Sequence, residues 1–389
     1  MNAPISIHAA NEHLLQQYQD LATRSFGHPV RDIALLHPHA DIRVAVRAGT
    51  VIAGGLGLLL PQYFGGRPVP SALLGAGCVA PEERGEGLAA RLMQERLHAL
   101  QEQGAVIASI WTQATSYARR LGFEAPTTAC SWTVATDDLR QTDTAPAVTV
   151  HAGNTDDSDR LQRELARCWN GPVARPPWWT AWTRAKSPNP THTYRFSHPG
   201  APPSGLLTLS MGQHQDTAEV TVHDAWTSDP LTTRAMLDFL SRHHRAAAVT
   251  FRRSVLPPAP LLLHHLSKSR IITRSWNPWM LRILDPEQAL RARGWPADLD
   301  FTLTLEIDRP GTKPRTYQLH VQDGAVDVSP TPATPCIRLT AGQLAVWYAG
   351  GYRSAAAARL GGVNATSPSH LETLIRAAAA REPWLPDQF

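Results

Sequence analysis

The chain is poor in lysine, in cysteine and in long apolar runs. Of its 37 basic residues only Lys186, Lys268 and Lys313 are lysines, and the net charge over 389 residues is +4. No basic block stands out, so nucleic acid is not expected as a main partner. The arginine bias, with many Ala and Pro, points to a GC-rich coding origin rather than to a function. Cys78, Cys130, Cys168 and Cys336 lie far apart without CxxC spacing, which suggests neither a zinc set nor a disulfide framework. They read as reduced, structural residues, and no metal is expected. The pairs His243-His244 and His264-His265 lack HExxH spacing or carboxylate company and read as structural or solvated. No apolar stretch approaches the ~18 residues of a membrane helix, and MNAPISIHAANEHLLQQ has neither the basic start nor the apolar block of a secretory signal. No membrane partner and a cytoplasmic address are the expectations.

What is present is the composition of a globular protein, 43% hydrophobic and 18% charged. At roughly 100–200 residues per domain, two or three domains are expected. The first stretch alternates helix and strand: Leu14, Leu15, Tyr18 and Leu21 recur at helical spacing, and residues 41–60 read as two strands joined at Ala48-Gly49. SALLGAGCVAP is another strand, followed by a turn and a helix from about Gly85 to Gln103; AVIASIW is a buried strand, TSYARRLGF a short helix, and ACSWTVA a closing strand. Residues 136–152 have the profile of a linker. A second block to about Pro286 repeats the order of elements, but Thr227, Ser228, Asp229 and Pro230 stand where the first block has its glycine turn. From about Glu287, alternating strands with Asp323-Gly324 between them are followed by helices, the pattern of an α+β domain. The expected units are 1–137, 150–286 and 287–389.

The turn RGEGLA, residues 84–89, follows a strand and opens a helix. Leading helix N–H groups have no intrahelical partner and favour an anion. Gly87 allows close approach to the backbone, and Ala89 permits tight helix-on-strand packing. The turn is neither a Walker loop, which needs Gly-Lys-Ser/Thr, nor GxGxxG, since Ala90 stands at the next position. In SYARRLGF, residues 116–123, Tyr117 is either a packing aromatic or a hydroxyl able to protonate a departing thiolate. Trp169, Trp178, Trp179 and Trp182 could stack on a sugar or cation, although cores and interdomain faces explain them more simply.

The string V-x-P-x-x-R-G-x-G-L-A at 79–89 resembles motif A of the GNAT (Gcn5-related N-acetyltransferase) superfamily, whose turn cradles the coenzyme A pyrophosphate. The resemblance implies that Gly77, Cys78 and Val79 offer strand backbone to the pantetheine arm. It implies further that Arg84, Gly85, Glu86, Gly87, Leu88, Ala89 and Ala90 hold the phosphates, and that Tyr117 is the general acid. Nearly the whole chain, down to the closing PWLPDQF, is similar to the Eis (enhanced intracellular survival) aminoglycoside acetyltransferases. That likeness implies tandem GNAT domains of mixed sheet and helix, the second degenerate, then a sterol-carrier-protein-like α+β domain. It also implies a homo-oligomer, a hexamer built from trimers, and a Phe389 carboxylate that enters the first domain as general base. A terminal carboxylate, ordinarily near a pKa of about 3.3–3.7, is a weak base unless desolvated; a frayed terminus is the alternative.

The expected activity is thus direct transfer of acetyl from acetyl-CoA to an amine of an aminoglycoside or similar polyamine, with a strand N–H near Val79 polarising the carbonyl. Gln388 replaces an acidic residue of those enzymes, and the Ser-Glu before their tyrosine helix is replaced around Thr112 and Gln113. Both changes remove negative charge that would meet a polycation. Another amine, a lysine side chain or an antibiotic biosynthetic intermediate, and a non-catalytic coenzyme A or lipid-binding module are the rival readings.

Overall fold

Residues 3–140, 148–214, 217–259, 266, 271–276 and 278–389 are described by the computed structural model; His264 and His265 and part of the expected linker lie outside them. The first part runs β1 (Ile5–Ala9), α1 (Glu12–Phe26), α2 (Ile33–Leu36), β2 (Ala40–Arg47), β3 (Thr50–Leu59), the small hairpin β4 (Gln62–Phe64) and β5 (Arg67–Val69), β6 (Ser71–Val79), α3 (Leu88–Glu102), β7 (Ile107–Trp111) and α4 (Thr115–Arg120). The middle runs β8 (Cys130–Ala135), β9 (Thr149–Ala152), α5 (Asp156–Ala166), α6 (Trp179–Ala185), β10 (Thr191–Ser197), β11 (Pro203–His214), β12 (Thr217–Thr227), α7 (Pro230–Ser241), β13 (Ala248–Phe251), β14 (Ile271–Ser275) and β15 (Trp279–Ile283). In the last part, β16 (Phe301–Asp308), β17 (Arg315–Gln322), β18 (Ala325–Pro330), β19 (Ile337–Thr340) and β20 (Asn364–Ala365) form one sheet, with the helices Ala341–Tyr348 and Pro368–Ala378 behind it. The tight turns expected at Ala48-Gly49 and Asp323-Gly324 are present, with positive φ at all four residues.

The first two sheets exchange strands. The first has the order β1-β2-β3-β6-β7-β15, the second β14-β8-β13-β12-β11-β10-β9. The strand expected to close the first layer, β8, instead lies between β13 and β14, and the edge of β7 is covered by β15 from more than 160 residues later. An alternating pattern identifies a strand but not its neighbour. The exchange buries Trp279, Met280 and Leu281, all at most 1% exposed, and a side chain of this size stabilises by about 1.5–3 kcal/mol when fully buried.

A glycine run in β3 lets helices press on both faces of the first sheet. A Cβ on Gly54 would sit 2.4 Å from the Tyr18 ring of α1; on Gly55 and Gly57 it would meet Arg96 and Leu100 of α3 at 2.6 and 2.5 Å. The same apolar core continues from Tyr18 and Leu21 through Trp279 into Trp347, Leu374 and Leu385 of the last domain, whereas the second sheet keeps its own core around Leu207, Val220 and Phe251. The last domain is therefore packed against the first, and its final residues are carried back to it.

Candidate active site

The site begins with a defect in the first sheet. Gly54 pairs with Cys78 but Leu56 pairs with Gly75, so β6 carries one extra residue, and Ala76 within it has φ +48°. Such a bulge bends the strand. It is held from two sides: Tyr18 Oη donates to the Ala76 carbonyl at 2.7 Å, and Arg96 Nη2 donates to the carbonyls of Gly75, at 2.9 Å, and Leu56. Arg96 is 3% exposed, a buried cation within an otherwise apolar helix face. The parallel ladder to β7 covers only Ser71–Leu74. Beyond the bulge the two strands part, and Gly77, Cys78 and Val79 run along the open side. Ala80 donates its N–H to Ile52 on β3; by strand alternation the Val79 N–H faces the other way, into the opening. Burial pushes the Cys78 thiol pKa up, which disfavours its thiolate form.

At the end of β6 stands the turn. Gly85 and Gly87 have φ of +98° and +75°, and a Cβ on either would meet nothing within 4 Å. Glycine is required here by conformation, and the space beside it is open. The N–H groups of Gly85, Glu86, Gly87, Leu88 and Ala89 have no backbone acceptor among the described residues; that of Ala90 is used locally, donating to the Gly87 carbonyl at 3.1 Å. Helix α3 has no side-chain cap and no acidic residue in its first turn. Arg47 pairs with Glu83 at 2.5 Å and Glu86 at 3.5 Å, and Arg84 Nε donates to the Val79 carbonyl at 3.3 Å, so the turn's charged side chains are tied outside the amides. An anion-receiving helix mouth beside a parted strand pair fits a phosphate-bearing, extended ligand.

Tyr117 is brought to the same mouth. Its Oη donates to the Ala89 carbonyl at 2.8 Å. Burial raises its pKa, against the lowering pull of Arg96 and Arg120, so the hydroxyl keeps its proton at neutral pH.

Phe389 lies on the opposite side of the bulge. A Cβ on Gly75 would stand 3.1 Å from the Phe389 carboxyl carbon and 3.2 Å from its oxygen. The closing segment is not frayed. Asn170 exchanges backbone hydrogen bonds with Glu382 and Trp384, and its side chain donates to the Ala349 and Arg381 carbonyls at 2.9 and 3.0 Å. Trp384 Nε1 donates to Ser254, Trp111 Nε1 to the Asp387 carbonyl at 2.9 Å, and Lys186 Nζ to the Gln388 carbonyl at 2.8 Å. Asp387 is 2% exposed and accepts from the Val173 N–H and from Arg175 Nε at 2.8 and 2.7 Å. Burial opposes the charge on Arg175, but Asp224 and Asp387 together outweigh it and hold the guanidinium protonated. Asp387 therefore anchors the segment through Val173 and Arg175.

Around Phe389 opens a cavity of about 940 Å³ lined by Ala76 and Gln113 of the first unit, by Trp179, Trp182, Lys186, His223, Asp224, Arg252 and Arg253 of the second, and by residues 386–389. Ala76 of the bulge is in its wall and residues 79–90 are not. Trp178, Trp179 and Trp182 pack on one another with centroids 5.1 to 6.1 Å apart, Trp169 packs on Trp384, and Trp179 and Trp182 are at most 3% exposed, the packing role expected of them. Arg96, Tyr18, Asn170, Arg175, Lys186 and the Arg252-Arg253 pair escaped sequence reasoning. The one available signal was AGGLG at 53–57, where glycines in a strand imply close approach of something large.

Comparison with known proteins agrees with this geometry. Residues 6–125 and 171–283 each match an acetyltransferase (GNAT) domain, and residues 286–386 a sterol carrier protein domain. The chain is 30% identical over 358 residues, 84% of its length and 82% of the relative's, to an uncharacterized N-acetyltransferase of Streptomyces avermitilis. A GCN5-related N-acetyltransferase from Anabaena variabilis shares the fold over 99% of this chain and 100% of its own, with a TM-score of 0.87 at 24% identity. Eis1 from Mycobacterium abscessus shares it over 99% and 100%, with a TM-score of 0.72 at 20% identity. No helix among the described residues is long and apolar enough to cross a membrane. A parted strand pair, a bare helix mouth and these matches lead to one conclusion: the chain belongs to the GNAT N-acetyltransferases, as two GNAT domains followed by a sterol-carrier-type domain.

Proposed function

We propose that the chain transfers acetyl from acetyl-CoA to a small-molecule amine at the β6 bulge, with the Phe389 carboxylate as base and Tyr117 as acid. Bound acetyl-CoA supplies the acetyl thioester; the amides of residues 85–89 are suited to its diphosphate, and Gly77, Cys78 and Val79 to its extended arm. The Val79 N–H, facing the opening, is the donor available to the carbonyl oxygen. An amine attacks only when neutral, and the Phe389 carboxylate, on the cavity side of Gly75, takes its proton. The Tyr117 hydroxyl gives a proton to the departing sulfur. One proton is taken and one given, so both groups reset through solvent. The observation that carries this reading is the Phe389 carboxyl group packed on Gly75, where the strands part.

A polycation such as an aminoglycoside would meet a wall bearing Arg31, Arg184, Lys186, Arg252 and Arg253. That charge favours another kind of amine.

Deleting Phe389 retracts the carboxylate by one residue, about 3.3–3.6 Å. Thiol release should fall by about 100-fold or more, while acetyl-CoA affinity measured by calorimetry stays within twofold. Unchanged turnover would remove the carboxylate from the chemistry. Intact mass of the purified chain checks that Phe389 is its last residue.

A further inference from the structure

The wall of the Phe389 cavity carries more cationic than acidic side chains. Six of its lining residues are Arg or Lys and three are Asp, and of those three Asp224 and Asp387 are both committed to Arg175. The Phe389 carboxylate forms no ion pair within 4 Å among the described residues. Lys186 Nζ and Arg253 Nη1 end on neutral oxygens of Gln388, at 2.8 and 3.3 Å, and Arg252 has no side-chain hydrogen bond or ion pair among the described residues. Three further donors, Trp182 Nε1, Arg253 Nε and Gln388 Nε2, are buried along this wall with no acceptor among the described residues. Buried donors are normally satisfied, and a buried charge without a partner is costly. The backbone here is held in an unusual state as well: Arg253 and Ser254 have φ of +44° and +60°, a conformation that costs about 1–3 kcal/mol in a side-chain-bearing residue and persists where the surroundings impose it.

We propose that the acceptor is an amine that also carries a carboxylate or phosphate, and that this acidic group sits against Arg252, Arg253 and Lys186 while the amine reaches Phe389. The proposal rests on the acetyl-transfer reading of the site and names its substrate class. Lys186 and Arg253 hold Gln388, one residue from the carboxylate, so an acid bound there leaves its amine directed toward the bulge. Burial, with the mutual repulsion of these cations, lowers Lys186 to about 7 and Arg253 to about 10; an incoming anion would offset the repulsion. Arg253 also lies 4.1 Å over the Trp276 ring and Lys186 3.6 Å over Trp182, which fixes the cations in place before a ligand arrives. The second GNAT unit, with its sequence turn lost, thus supplies the acceptor's binding wall.

The test uses matched amines with the full chain: cadaverine against lysine, glucosamine against glucosamine 6-phosphate, and kanamycin as polycation, each titrated by calorimetry in the presence of coenzyme A. At least one acid-bearing member should bind about 10-fold tighter than its partner, and which pair responds separates carboxylate from phosphate. Arg252→Glu should abolish that preference, with Arg252→Gln as the variant if the reversal fails to fold. Equal or weaker binding of both acid-bearing members, tightest binding of kanamycin, or no binding of any probe at 10 mM overturns the proposal. Acetyl-CoA affinity should be unchanged in either variant; a loss there would assign the cations to the donor's own phosphates and overturn it too. Thiol release is scored separately, so that acid-selective binding without turnover would count against the acetyl-transfer reading and not against the anion wall.

Discussion

The two GNAT units place a helix after a central strand in the same way, and the helix mouths differ in what occupies them. At α3 the chain leaves the mouth bare: two glycines at positive φ, no capping side chain, no acid in the first turn. At α7 the chain supplies its own anion. The Asp229 carboxylate accepts from the Thr232 N–H and hydroxyl, both at 2.8 Å, from Ser228 Oγ at 3.1 Å and from His198 Nε2 at 3.3 Å. Burial raises its pKa, but these donors prevail and hold it at about 2. The parting strands differ likewise. β12 runs on past β13 after Val222 as β6 runs past β7, but there Asp224 takes Arg175 and Trp226, and the Trp226 ring packs 4.8 Å from Trp384. A helix N-terminus is an anion site only where the chain declines to cap it. The second unit uses Arg175, Asp224 and Trp226 to anchor the closing segment, and other residues of it wall the cavity.

The comparison is broken most severely at Gly87. With φ at +75° and open space beside it, Gly87→Val should fold, at a backbone cost of about 1–2 kcal/mol, and place a branched side chain where a phosphate is expected. Acetyl-CoA affinity by calorimetry should drop by about 100-fold, near 3 kcal/mol. Retention of wild-type affinity by a folded variant would mean that the bare mouth is not the diphosphate site.

Why this turn was readable and the rest was not follows from the range over which each feature is encoded. The turn, the helix after it and Tyr117 sit within 40 residues, and their glycine and proline punctuation specifies local backbone. The tight turns at Ala48-Gly49 and Asp323-Gly324 are legible for the same reason. The exchange of β8 and β15 is not, because a strand's pattern states which face is buried and leaves its neighbour open. Nor is the role of Asn170, whose side chain joins Gly65 of the first unit to residues 349 and 381 of the last, or of Arg96, which reads as one more surface cation until Gly55 and Gly77 open a channel for it. The cavity's charge is the clearest case: Arg31, Lys186 and Arg252 are scattered over more than 200 residues and become one wall only when two sheets and a tail meet.

A smaller effect sharpens the distinction between the units at the chemical step. Tyr117→Phe keeps the ring and removes the hydroxyl that donates to Ala89. The turnover number should fall by about 30- to 100-fold with little change in acetyl-CoA affinity. Since burial raises this pKa, the hydroxyl remains a proton donor through neutral pH, and the deficit should be constant from pH 6 to 8 as read from the pH profile of both proteins. A deficit confined to acetyl-CoA binding would instead make the tyrosine a brace for the first turn of α3.

The smallest effect belongs to the occupied mouth. Asp229→Ala removes the α7 cap and should destabilise the protein by about 1 kcal/mol, read as a lower melting temperature. It should not create a second nucleotide site, because Pro230 has no N–H to offer and no glycine opens the turn; acetyl-CoA stoichiometry stays at one per chain. The cost should also depend on pH in a defined sense. The folded pKa lies below the ordinary 3.8, so the carboxylate's contribution is fully present above that value and is lost as pH falls toward about 2. Melting temperatures of wild type and variant should therefore differ at pH 7 and converge on acidification. If they stay apart at low pH, Asp229 acts through packing rather than as the built-in anion of the second unit.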